Sequence, residues 1–298
     1  MITCKQLQKH YGKKEILTDV SFQIDEPKII GLIGRNGVGK STLLKIIAGH
    51  AKASKGYIEV VGQKPFQNLT VAANVIFIED AMTFPAVLTL KEILESAKKF
   101  YAKFATDLAF KLLKFSNISE KNYHTQLSKG QKATFNLIYG IASRSAITLL
   151  DEPMNGMDEA IRNDMYRVIL KDFIAYPRVI IISSHYLNEM EQLIEDILLL
   201  HKGKVALFAP VEEVQELAVK LVGQKGNVEP ALDKYEVLTT YENGPIFEAI
   251  VRKNDLPLPE NVRMLSLSAS DVCQVLTATE GGSIDDIYRK SEYGAEYL

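Results

Sequence analysis

Long apolar runs are missing from this 298-residue chain: none approaches the roughly 18–20 residues that span a bilayer, so no transmembrane helix is predicted. The opening residues, MITCKQLQKHYGKK, lack the apolar centre of a secretory leader. The chain is therefore expected in the cytosol unless a partner holds it elsewhere. Cysteine is scarce. Cys4 and Cys273 stand far apart without metal-ligand spacing, which excludes a disulfide framework and a cysteine metal site and leaves two reduced thiols. No internal repeat or low-complexity segment is present. Charge of one sign is also lacking, with a net of −2, but the balance is uneven along the chain. Residues 210–298 hold 8 basic and 16 acidic side chains, leaving 27 and 21 of the totals of 35 and 37 for residues 1–209. The mild basic excess of the longer part suits a polyanionic ligand such as a nucleotide, or is simply solvated surface charge. The acidic remainder argues against a grip on nucleic acid through that region, and no nucleic-acid partner is expected.

What is present reads as strands alternating with helices. ILTDVSFQI (16–24) alternates apolar and polar residues, and KIIGLIG (28–34) is a nearly continuous apolar run ending in glycine. A helix follows from about Lys40, with Leu43, Leu44, Ile46 and Ile47 on its buried face. Helical spacing runs through 88–115 and 131–142. AITLLDE (146–152) and RVIIISSH (178–185) read as buried parallel strands, with helices at 158–174 and 187–195 and a hairpin about Lys202-Gly203. The expectation is an α/β fold with a mostly parallel core sheet over 1–209, carrying a helical lobe at about 80–142. From Pro210 the texture changes. A helix at 211–221, a Gly/Asn/Pro-rich link at 223–230, strand-like runs at 235–241, 246–252 and 262–268, and helices near 270–278 and 283–291 predict a small α+β appendage over 210–298.

The strongest local pattern is Gly34-Arg35-Asn36-Gly37-Val38-Gly39-Lys40-Ser41-Thr42, a full P-loop match between an apolar strand and a helix. Its glycines let the backbone curl so that successive N–H groups face phosphate oxygens, and the helix N-terminus adds its dipole. Lys40 can reach the β- and γ-phosphates and Ser41 can give its hydroxyl to Mg²⁺. A second pattern, Ile147-Thr-Leu-Leu-Asp151-Glu152-Pro153, puts a carboxylate at the end of a buried strand. Asp151 suits the Mg²⁺ hydration shell, and Glu152 is placed to polarise an attacking water. A strand-end acidic pair also caps helices in other settings. P-loops serve GTPases, kinases and helicases alike, so these two patterns leave the function open.

A third pattern narrows it. In Leu127-Ser128-Lys129-Gly130-Gln131, Ser128 lies 88 residues after Lys40 and 23 before Asp151. A serine N-cap explains these residues on any helix, but the order and spacing resemble the ATP-binding-cassette (ABC) family over roughly residues 1–209. The resemblance implies a P-loop NTPase fold with ATP and Mg²⁺ as ligands. It implies that Ser128, Gly130 and Gln131 meet the γ-phosphate of ATP held by an opposite subunit. It also implies that Asp158 belongs to a loop crossing the dimer interface, that His185 contacts the γ-phosphate and orients Glu152, and that Tyr11 stacks on adenine. Two positions depart from the family pattern. Lys129 stands where glycine is common, and Glu79 stands where the family carries a glutamine that touches Mg²⁺ or the attacking water. A carboxylate at 79 can still ligate Mg²⁺, but it adds negative charge beside the phosphates.

One copy of each motif per chain implies a two-fold dimer, a homodimer in the simplest case. With no transmembrane segment predicted, a separately encoded membrane permease would supply the pathway, docking near 76–115 and holding the ATPase at the cytoplasmic face. The texture of the C-terminal part and LSKGQ resemble ATPases of bacterial exporters for peptides, antibiotics and other amphipaths, and more narrowly the phenol-soluble-modulin exporters. A soluble family member acting on ribosomes or DNA, and an importer ATPase, are the other readings. Ribosome-associated members usually carry tandem cassettes, and DNA-repair members a long coiled coil or zinc module; neither feature is visible here.

Overall fold

The structure is a computed structural model; it describes residues 1–185, 187–254, 258 and 261–278. The described chain divides into two compact units, the first Met1–Val214 and the second beginning at Gln215.

The first unit is built on a nine-stranded sheet. Its strands are β1 (Ile2–Tyr11), β2 (Lys14–Ile24), β3 (Ile29–Ile33), β4 (Lys55–Val60), β5 (Val75–Ile78), β6 (Ile147–Asp151), β7 (Val179–Ser184), β8 (Asp196–His201) and β9 (Lys204–Pro210), in the order β4-β1-β2-β9-β8-β3-β7-β6-β5. The run β8-β3-β7-β6-β5 is parallel, while β4-β1-β2 and the β8–β9 hairpin are antiparallel. β3, β5 and β6 are buried at every residue, as expected of strands covered on both faces. β1 breaks simple alternation. Gln6 sits at φ 48°, so the inward residues are Ile2, Cys4 and Leu7, and the ladder to β2 shifts between Cys4 and Leu7. Gly56 lies opposite this bulge, where a Cβ would come 2.2 Å from the Gln6 carbonyl oxygen. Burial raises the Cys4 thiol to about 12, which keeps it an inert core group.

Helices α1 (Lys40–Ile47), α2 (Leu69–Asn74), α3 (Leu90–Ala97), α4 (Thr106–Phe115), α5 (Lys129–Ser143), α6 (Glu159–Ala175) and α7 (Leu187–Met190) complete this unit with the short α8 (Val211–Gln215). α1 buries Leu43, Leu44, Ile46 and Ile47 completely, about 1.5–3 kcal/mol of transfer free energy for each. The helical spacing of 88–115 does not make one helix. Residues 98–105 leave the helical path, the Ala105 N–H donates to the Ala142 carbonyl, and Tyr101 and Phe104 turn onto Tyr139 of α5. With Phe84, His124 and Phe135 these rings form an aromatic cluster in the helical part of the unit. The helix expected at 187–195 is confined to α7.

In the second unit, β10 (Ala218–Gln224), β11 (Val237–Asn243), β12 (Ile246–Arg252) and β13 (Arg263–Ser266) form an antiparallel sheet ordered β11-β12-β10-β13, with α9 (Lys225–Val228), a 3₁₀ turn at Glu229–Lys234 and α10 (Ala269–Leu276). Val219, Leu221, Val228, Tyr235, Phe247, Ala249 and Val251 share its core. The expectation of one helix over 211–221 is corrected: its second half is β10. Val211, Val214, Ala218 and Leu221 fit a helical period, but Val219 and Leu221 also alternate with Lys220, and pairing with both β12 and β13 selects the strand. The link expected at 223–230 is ordered into α9 because Val228 is fully buried. The helix expected near 283–291 lies outside the described residues.

Candidate functional site

Four neighbouring parallel strands, β3-β7-β6-β5, end along one edge of the sheet, and each delivers one motif there. β3 runs into Gly34–Thr42, β7 into His185, β6 into Asp151 and Glu152, and β5 into Glu79. This is the edge where parallel α/β sheets form their ligand crevices. Motifs far apart in sequence therefore meet because their strands are parallel neighbours.

The loop after β3 is curled by glycine. Gly37 has φ 80° and Gly39 φ 115°, conformations that a side chain strains. A Cβ on Gly39 would also come 2.6 Å from Leu17. The Leu43 N–H donates to the Gly39 carbonyl, which starts α1, and Arg35, Asn36, Gly37 and Ser41 are exposed around the turn while Val38 and Thr42 are half-buried. Lys40 is only 6% exposed. Its ammonium donates to the Gly34 carbonyl at 2.6 Å and lies 3.6 Å from Glu152 Oε1.

Asp151 is buried at the end of β6, opposite Ser183 of β7 in the parallel register. The Ser183 hydroxyl donates to Asp151 Oδ1 at 2.6 Å and accepts the Glu152 N–H at 3.0 Å. Glu152 itself is left-handed at φ 48°, which turns its side chain out of the strand direction. Its Oε2 lies 2.9 Å from His185 Nδ1. Lys40, Asp151, Glu152 and His185 thus occupy one linked cluster. Ser183 was not singled out from sequence, although a hydroxyl closing a buried run of Val179-Ile-Ile-Ile was a readable signal.

Glu79 is held by Lys45 of α1, Nζ to Oε2 at 2.8 Å. That hydrogen bond is the main cause of a lysine pKa above its ordinary value, with weaker support from Asp151 and Tyr11 nearby. Tyr11, at the end of β1, is 52% exposed, and the Lys9 ammonium stands 4.5 Å over its ring. Among the described residues no group of three or more His, Cys, Asp and Glu side chains forms a metal cluster. The oxygens of Ser41 and Asp151 are a donor set that fits Mg²⁺, which keeps several waters and takes further ligands from substrate phosphates.

The other motif stands apart. Ser128 caps α5: its hydroxyl accepts the Gln131 N–H at 3.3 Å, and Gln131 Oε1 accepts the Ser128 N–H at 3.1 Å. Gly130 is pressed against the 154–157 loop, where a Cβ would come 2.5 Å from the Gly156 carbonyl oxygen. Asp158 caps α6 by accepting the Ile161 N–H at 2.9 Å. Lys129 reaches Asp80 at 3.9 Å, both side chains exposed. Among the described residues, these contacts of Ser128, Gly130, Gln131 and Asp158 stay on α5, α6 and their adjoining loop and do not reach Gly34–Thr42.

The family model described as "ABC transporter" matches residues 17–155. The ABC transporter ATP-binding protein YtrB of Bacillus subtilis is 28% identical over 256 residues, 86% of this chain and 88% of that protein. Matches over about the length of the first unit include the bacitracin transport ATP-binding protein BcrA of Bacillus licheniformis, 28% identical over 72% of both chains. They also include the aliphatic sulfonates import ATP-binding protein SsuB 1 of Paraburkholderia xenovorans, 28% identical over 68% of this chain and 58% of that one. Among solved structures, the dimeric ABC transporter cassette MJ0796 superposes with a TM-score of 0.63 at 22% identity, over 70% of this chain and 98% of that one. Its fold is that of the first unit. The family model matched over residues 17–155, the cassette architecture and the motifs gathered at one sheet edge lead to one conclusion: the first unit of this chain is an ABC transporter ATP-binding cassette, of the ATPase class.

Proposed function

We propose that this subunit hydrolyses ATP with Mg²⁺ at a site shared between two copies and thereby drives a separately encoded membrane permease. The observation that carries the reading is the contact of Lys40, Glu152 and His185 at the end of three adjacent strands. Arriving phosphates exchange places with the Gly34 carbonyl and Glu152 as partners of the Lys40 ammonium, while the N–H groups of Arg35–Thr42 wrap the β-phosphate. Glu152, freed from Lys40 and oriented by His185, takes a proton from the attacking water. Ser183 fixes the backbone from which both strand-end carboxylates project. Mg²⁺ held by Ser41 and Asp151 would neutralise charge on the β- and γ-phosphates. Glu79 would ligate it only on leaving Lys45. Tyr11 offers an exposed ring face for adenine.

The exposed Ser128, the half-buried Gln131 and the α6 cap Asp158 are the natural contacts for ATP bound by a second copy, since in their own chain they keep to α5 and α6. The division of labour is then a cassette over 1–209, its helical lobe within about 80–142, and an accessory part over 210–298. The YtrB match, 256 residues long, exceeds the 214 of the first unit and so extends into this accessory part. No helix among the described residues is long and apolar enough to cross a membrane, in keeping with a pathway supplied by another chain. Export of amphipathic peptides or antimicrobial molecules, including the phenol-soluble-modulin class, is the transport we favour. The bacitracin transport relative supports it, and the sulfonate import relative is the specific observation that favours the importer reading instead.

Glu152→Gln is expected to bind ATP and lose about 10²–10⁴-fold in turnover; near-normal turnover would remove Glu152 as the base. Tagged Glu152→Gln protein captured with ATP from detergent-solubilised cells is expected to bring a polytopic membrane protein in stoichiometric amount. Recovery of ribosomes or DNA-repair proteins without a permease would overturn the transport reading.

A further inference from the structure

The edge proposed to receive nucleotide phosphates carries three carboxylates. Asp151 and Glu152 end β6 and Glu79 ends the neighbouring β5, and two ammonium groups, Lys40 and Lys45, stand against them. Lys40 already faces Glu152. Among the described residues, Lys45 is the cation paired with Glu79, at 2.8 Å, and the pair is about two-thirds buried. Lys45 lies four residues after Ser41 on α1, so the two share one face of the helix, one turn apart. A polyanion seated on the α1 N-terminus therefore has this ion pair directly beside it. Left alone, the Glu79 carboxylate would repel the phosphates through a partly desolvated path, where a unit charge acts more strongly than in bulk water.

We propose that Lys45 is a positioning residue of the nucleotide site: it holds the Glu79 carboxylate against α1 and cancels its charge, so that ATP meets a neutralised strand end. The inference rests on the reading of Gly34–Thr42 as the phosphate site. It gives this chain's acidic residue at 79 its own compensating partner on the P-loop helix.

The test is a titration of the full-length chain with a fluorescent methylanthraniloyl-ATP, run in EDTA so that neither hydrolysis nor metal binding enters. Lys45→Met is expected to weaken binding about tenfold, as an uncompensated carboxylate near a multiply charged phosphate requires. Adding Glu79→Gln to Lys45→Met is expected to restore affinity to within about threefold of wild type, because the unpaired charge is gone. Lys45→Arg, which keeps the charge, is expected to bind as wild type does. Unchanged affinity in Lys45→Met, or a double variant as weak as Lys45→Met, would overturn the proposal, the second result pointing to a purely structural role in α1. Should Lys45→Met fail to fold, Glu79→Gln alone decides: tighter binding supports the proposal and unchanged binding rejects it. Lys40→Ala separates the two layers. Wild-type affinity in that variant would sink the phosphate-site reading itself, whereas lost affinity there with none lost in Lys45→Met would sink the Lys45 proposal only.

Discussion

The two halves of the proposed ATP site are held in contrasting ways. At the sheet edge, Lys40, Asp151 and Ser183 are buried, and one hydroxyl ties the Asp151 carboxylate to the Glu152 backbone. At the start of α5, Ser128 is exposed, and its hydroxyl and N–H pair with Gln131 of the same helical turn. The first arrangement preorganises charged groups for chemistry, where small displacements are costly. The second satisfies its polar groups locally while leaving them reachable, as suits a surface that must engage and release another copy. An N-cap is a weak, exchangeable contact, worth about 1 kcal/mol.

Substitutions on each side sharpen this contrast. The largest effect is expected from Ser183→Ala, which removes the donor to Asp151 and strands the Glu152 N–H at once. Turnover should fall by tenfold or more on the scale of about 1–3 kcal/mol for unsatisfied buried groups, while methylanthraniloyl-ATP affinity stays near wild type. Equal losses in both would show that the buried half binds rather than orients. Gly130→Ala comes next. Its new Cβ meets the Gly156 carbonyl oxygen at 2.5 Å, so the loop leading to Asp158 must move, at an overpacking cost of about 1–3 kcal/mol. Loss of ATP-dependent assembly without loss of monomer ATP binding is the expected pattern, read by light scattering and by titration; the reverse would move Gly130 into the phosphate-binding half.

A smaller effect belongs to pH. His124 is buried within the aromatic cluster, and burial lowers its pKa despite the 3.0 Å hydrogen bond with Asn136. Below the ordinary histidine value of 6.5 the unfolded chain takes up a proton that the folded chain resists. Stability is therefore full above that value and falls as pH drops toward the folded pKa. Melting curves of wild type and His124→Phe between neutral and mildly acid pH should diverge in slope; parallel curves would remove His124 as a cause. Lys129→Gln should matter least, because an exposed ion pair 3.9 Å apart is worth about 0–1 kcal/mol. A large loss of turnover there would show that this departure from the family pattern has functional weight.

Much of the first unit was legible because its signals are local and mutually consistent. Apolar β3, β6 and β7 bound glycine and acidic motifs whose order alone implies a parallel sheet. Less legible was anything set by a distant partner. The break at 98–105 depends on Tyr101 and Phe104 reaching Tyr139, and β10 depends on β12 and β13. In β1, the bulge at Gln6 shifts the buried face from position 6 to position 7 and disguises the strand. At the proposed phosphate site, Glu79 is visible in the sequence as an added charge, but Lys45, which pairs with it, belongs to a helix whose sequence signal is its apolar face. Ion pairs between elements leave no periodicity.

The central claim, that Gly34–Thr42 of one copy closes on Ser128–Gln131 of another, is tested most directly by light-scattering mass measurement of purified Glu152→Gln protein with and without ATP. Monomer is expected without nucleotide, and with ATP a dimer that Ser128→Arg abolishes. A monomer at saturating ATP, or a dimer indifferent to ATP and to Ser128→Arg, would contradict it.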